Sequence, residues 1–70
     1  MAPPEGIRHS ADLEELLRAL VREMIANEET AEARGLRGAR VLFPGETIDP
    51  SFLVRLPDGR QFEAIIRELD

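Results

Sequence analysis

The chain of 70 residues contains no cysteine, no tryptophan, no tyrosine and no lysine. Without cysteine there is no disulfide framework, thiolate metal site, cysteine nucleophile or redox motif. Three phenylalanines are the only aromatic residues, so a surface for stacking unpaired bases is missing. No apolar run approaches the ~20 residues of a membrane helix. The opening Met1-Ala2-Pro3-Pro4-Glu5-Gly6 lacks the basic start and apolar middle of a signal peptide. A cytoplasmic location is therefore the expectation. The absence of lysine beside nine arginines reads as a coding bias as readily as a functional choice.

What is present suits a small folded domain. Hydrophobic residues make up 43% and charged residues 33%, which is the balance of a folding chain rather than a disordered one. The net charge of -5 argues against general nucleic-acid binding, because phosphates repel a net-negative surface unless charge is segregated. This length allows one domain, and a domain of about 60 residues buries only about 60% of the surface its unfolded chain exposes. Self-association is a natural remedy for so small a core.

Residues 1–9 read as a flexible lead-in, because Pro3, Pro4 and Gly6 oppose regular structure. Residues 10–70 form the domain. Ser10 or Asp12 opens a helix, and Asp12 followed by Glu15 fits a capping box. Leu13, Leu16, Leu17, Leu20 and Met24 recur at helical spacing, with Val21 and Ile25 on one shoulder. Arg18 and Arg22 fall on the opposite face, and Glu14 and Arg18 form an i,i+4 pair. Beyond Asn27 the helix either breaks or continues to Arg34. Continuation is favoured, because residues 28–34 are mostly good helix formers, and Gly35 suits a left-handed cap.

Ala39 to Phe43 reads as a short strand, followed by turns at Pro44-Gly45-Glu46 and Asp49-Pro50, with Ile48 between them capping the core. Ser51 to Leu56 and Gln61 to Leu69 are strands joined by Pro57-Asp58-Gly59. A three-residue loop pairs Leu56 with Arg60, Arg55 with Gln61, Val54 with Phe62, Leu53 with Glu63 and Phe52 with Ala64. One face of that hairpin is then apolar, through Phe52, Val54, Phe62, Ala64 and Ile66, and the Leu13–Met24 stripe is its natural cover. The expected fold is α+β: one N-terminal amphipathic helix packed on a small antiparallel sheet of two to three strands, in the order α-β-β-β.

No constellation of side chains carries chemistry. His9 is the only histidine, and a metal site needs further converging ligands. A solvated residue just before the helix is the better reading. Glu14 and Glu15 diverge by about a hundred degrees on a helix, and Glu28 and Glu32 lie on an exposed acidic turn. Neither pair makes an acid–base couple, which needs a cleft with two different environments. Ser10 and Ser51 have no base at a recognisable spacing. Gly35-Leu36-Arg37-Gly38 is a connector, not a phosphate loop. The chain lacks the Asp-Ser-Leu attachment motif of carrier proteins, and no family resemblance is drawn. No catalytic residue, metal, cofactor or small-molecule substrate is expected.

Two surface features stand out. Residues 33–45 carry Arg34, Arg37 and Arg40 and no acid, whereas residues 10–32 carry a net charge of -5. The three arginines form a candidate anion site, or else they close the helix dipole and pair with the acidic helix. The second feature is surplus apolar content: Leu53, Ile65 and Leu69 point away from the buried hairpin face, and Val21 and Ile25 sit on the helix shoulder. These five residues are the candidate protein interface. The last strand is a candidate sheet edge for pairing across a two-fold. The function read from the sequence is a non-catalytic protein–protein interaction or regulatory accessory protein that binds another protein or a second copy of itself. The alternative is anion or nucleic-acid binding through the arginine connector.

Overall fold

A computed structural model describes residues 6–69, so most of the expected lead-in, residues 1–5, lies outside the described residues. Five elements follow in order: α1 (Ser10–Ala26), α2 (Glu28–Arg34), β1 (Arg40–Leu42), β2 (Ser51–Arg55) and β3 (Gln61–Ile65). The strands form one antiparallel sheet in the order β1-β2-β3. The fold is α+β, with a second short helix inserted into the expected α-β-β-β order. β1 and β3 are both shorter than the residue patterns suggest, ending at Leu42 and Ile65.

The start of α1 corrects the expected cap. His9, in extended conformation, is the N-cap residue. The Asp12 carboxylate reaches back to accept the backbone N–H groups of Arg8 at 3.0 Å and His9 at 2.9 Å. Asp12 thus plays the role given to Glu15, three residues earlier in the chain. The N-cap N–H that a helix start leaves unpaired is thereby satisfied, together with that of the residue before it.

The favoured unbroken helix to Arg34 is also corrected. Asn27 takes an extended conformation with ψ 108 and separates α1 from α2. Its N–H donates to the Glu23 carbonyl at 3.0 Å, and its Oδ1 accepts the Thr30 N–H at 3.0 Å. One side chain therefore closes one helix and opens the next, a local bond that outweighs the helix propensity of the residues after it. Glu28 and Glu29 then favour the new positive helix end. Gly35 ends α2 at φ 72, as expected. The Leu36 N–H donates to the Ala31 carbonyl at 2.7 Å and the Gly35 N–H to Glu32 at 3.3 Å, which is a Schellman closure.

The hairpin follows the register read from the sequence. Phe52 faces Ala64, Leu53 faces Glu63, Val54 faces Phe62 and Arg55 faces Gln61. The Leu56 N–H donates to the Arg60 carbonyl at 2.8 Å, and Gly59 takes φ 94 in the three-residue loop. Asp58 Oδ1 accepts the Arg60 N–H at 3.0 Å, and its Oδ2 lies 2.7 Å from Arg60 Nε. β1 joins on the other side of β2, with Val41 facing Val54 and Arg40 facing Arg55.

Packing departs most from expectation. α1 lies on β1 and β2, but its leucine stripe meets the sheet only in part. Leu13, Leu17, Val21 and Ile25 are half-buried, whereas Leu16, Leu20 and Met24 are exposed. Arg18, expected on the solvent face, turns inward. Its guanidinium sits 4.4 Å from the centre of the Phe43 ring, and its Nε lies 3.1 Å from Oε2 of the buried Glu14. Exposed Arg22 reaches 6.0 Å from the same ring. Ile48 does not cap the core and is fully exposed. Among the described residues, the buried apolar ones are Phe52, Ala31 and Ala39, and no large side chain is completely enclosed.

Candidate interaction surface

The apolar arc of α1 is wider than one sheet can cover. At about 100° per residue, Leu17, Val21, Glu14, Ile25 and Arg18 span about 100° and face the sheet. Leu16, Leu20 and Met24 span the adjoining ~80°. A helix seated on a single partner needs an apolar stripe of roughly 100°, and this one continues past it. The three outer residues retain 46%, 45% and 37% of their surface, in one row at spacing i, i+4, i+8.

The sheet leaves further apolar surface open. Phe62 on β3 is exposed, although it shares the Phe52 face. On the opposite face, Thr47, Ile48, Asp49, Ser51, Glu63 and Ile65 line a cavity of about 270 Å3. The Thr47 hydroxyl donates to the Asp49 carbonyl at 2.7 Å, and the Ser51 hydroxyl is buried without a hydrogen-bond partner. Of the expected interface residues, Ile65 and Leu69 are exposed, while Val21, Ile25 and Leu53 are half-buried. The structure brings Ile65 to the cavity and leaves Leu69 beyond the end of β3. Periodicity alone places the row on α1 in the core. A signal for its exposure was present, since seven apolar positions on one helix cover about 180°.

The arginine connector is open as well. Arg34 in α2, Arg37 after it and Arg40 in β1 are all exposed. The register adds Arg55 directly opposite Arg40, a neighbour that sequence reasoning did not find. Arg55 Nη2 donates to Gln61 Oε1 at 3.4 Å. Among the described residues, the ion pairs formed are Arg18 with Glu14 and Arg60 with Asp58, so these connector arginines and Arg55 lack a carboxylate partner.

Two carboxyls are held low by local hydrogen bonds. The backbone N–H groups of His9 and then Arg8 hold the Asp12 carboxyl below its ordinary value. The backbone N–H and then the side chain of Arg60 do the same for Asp58. Among the described residues, no three His, Asp or Glu side chains converge as metal ligands would. No helix among them is long and apolar enough to cross a membrane. Comparison with known proteins finds no matching family model, no similar curated protein and no similar solved structure.

Proposed function

We propose that this chain is a non-catalytic interaction protein of the cytoplasm whose apolar surface is completed by another polypeptide, in first place a second copy of itself. One observation carries the reading: Leu16, Leu20, Ile48, Ile65 and Leu69 are exposed, while among the described residues Phe52 is the one large apolar side chain that is buried.

The test is the thermal midpoint measured over a hundredfold range of protein concentration. Association that stabilises the fold raises the midpoint with concentration. A midpoint independent of concentration, together with the mass of a monomer, overturns the self-association reading.

Anion or nucleic-acid binding through Arg34, Arg37 and Arg40 is kept as a second reading for one reason. Arg40 faces Arg55, and like charges directly opposite on neighbouring strands are destabilising unless an anion lies between them. The test is binding to an RNA oligonucleotide at low salt, with the Arg37→Ala, Arg40→Ala double variant as control. No salt-dependent affinity removes this reading.

A further inference from the structure

Independently of the self-association reading, we infer that the cavity between the loop before β2 and the outer face of the β2–β3 hairpin is a binding site for a primary aliphatic ammonium group. That group can belong to a small alkylamine or to the tip of a lysine side chain. The chain itself has no lysine, so a lysine reaches the site only from a different protein.

The cavity lies at the end of the hairpin remote from its turn. Ser51 faces Ile65 and Leu53 faces Glu63 across the two strands. Alternation along the strands therefore puts the Ser51, Glu63 and Ile65 side chains on one face of the sheet. The Ile66 N–H donates to the Pro50 carbonyl at 2.9 Å and holds this end of the hairpin together. Thr47, Ile48 and Asp49 border the same space from the loop. The volume of about 270 Å3 is close to the lower bound of roughly 300 Å3 for small-molecule sites.

The lining is rich in acceptors and carries negative charge. Ser51 is 7% exposed, and its hydroxyl is buried with no hydrogen-bond partner on the cavity side of the sheet. Such a group is costly unless something completes it. The Thr47 hydroxyl spends its proton on the Asp49 carbonyl at 2.7 Å, which leaves its oxygen free only to accept. The carboxylates of Asp49 and Glu63 also only accept. Among the described residues the ion pairs are Arg18 with Glu14 and Arg60 with Asp58, so neither cavity carboxylate has a cationic partner. A lining of this kind suits a group that brings both protons and positive charge. An ammonium brings three donors, no acceptor and a compact charge. The other two walls, Ile48 and Ile65, are exposed aliphatic side chains. An alkyl stem packs on such surface while its charged head stays among the polar groups. A divalent metal fits less well, because no three His, Asp or Glu side chains converge among the described residues and the aliphatic walls would go unused.

Amide NMR titration of the isotope-labelled full chain with n-butylammonium chloride, at neutral pH and constant ionic strength, tests the site. Saturable shifts are expected at Thr47, Ile48, Asp49, Ser51, Glu63 and Ile65, with a Kd of about 1 mM or below. n-Butanol, which has the stem without the charge, and ammonium chloride, which has the charge without the stem, are each expected to bind at least about tenfold more weakly. Ser51→Ala is expected to weaken n-butylammonium binding by about fivefold to tenfold. The same change removes an unpartnered hydroxyl, so it is expected not to lower the thermal midpoint. The Asp49→Asn, Glu63→Gln variant is expected to weaken binding by about tenfold or more. Nα-acetyl-lysine methylamide separates the two sources. Saturation of the same amides by it supports the site and assigns it to a partner's lysine, whereas saturation by n-butylammonium alone supports the site and assigns it to a free amine. Equal binding of n-butanol overturns the ammonium assignment. Binding that is unchanged in both variants, or shifts that never saturate, overturns the site.

Discussion

At the scale of single residues, a few polar side chains decide where elements begin and end. Asp12 ties Arg8 and His9 to the first turn of α1, and its carboxyl is held low by those two N–H groups. A carboxyl whose folded pKa lies below its unfolded value stabilises the fold above the usual range near pH 4, and that contribution fades as pH falls through the folded value. Acid titration of wild-type stability is therefore expected to fall more steeply below about pH 4 than that of Asp12→Asn. Equal slopes would remove the carboxylate from the account. Gly59, at φ 94, meets nothing within 4 Å of an added Cβ, so only the backbone resists substitution. Gly59→Ala is expected to cost roughly 1–2 kcal/mol in denaturant unfolding.

Among the elements, the hairpin was legible and the helix seat was not. Pro57-Asp58-Gly59 and the alternation on either side specify a register locally, and a one-residue slip would turn every side chain over. The observed pairs from Phe52–Ala64 to Arg55–Gln61 match that register. The rotation of α1 about its axis is not a local property. It depends on which side chains fill the space above β1 and β2, and there the Arg18 guanidinium lies over the Phe43 ring and points its Nε at the Glu14 carboxylate. Periodicity could not rank that charged contact against the leucines. The break at Asn27 was among the alternatives, but summed propensity favoured the continuous helix, and a single Asn27–Thr30 bond reversed it. Of the interface candidates, Ile65 is exposed on the face its alternation away from Phe52 assigns it, Leu53 on that face is half-buried, and Leu69 is exposed beyond the end of β3. Helical spacing gives the whole Leu13–Met24 stripe to the sheet and so hides the exposure of Leu16, Leu20 and Met24.

The charged seat itself is open to test. Arg18 and Glu14 side chains are 18% and 10% exposed. Removing one partner of such a buried pair leaves the other without compensation. Arg18→Ala is expected to lower unfolding free energy by about 3 kcal/mol, while Glu14→Leu with Arg18→Met is expected to be neutral or stabilising. If Arg18→Ala leaves stability unchanged, the pair does not anchor the helix.

At the scale of the whole molecule, the chain is a thin two-layer body measuring 40 × 32 × 19 Å. A sheet covered on one side by a single helix cannot enclose the large apolar side chains that the chain carries. The surplus lies in two places, along α1 and around the ends of β2 and β3. On the self-association reading proposed above, a second copy would cover part of this exposed apolar surface. Sedimentation equilibrium of the wild-type chain from low to high micromolar concentration addresses this most directly. The account predicts a mass rising to twice 7.9 kDa, and a mass that stays at that of one chain across the whole range would contradict it.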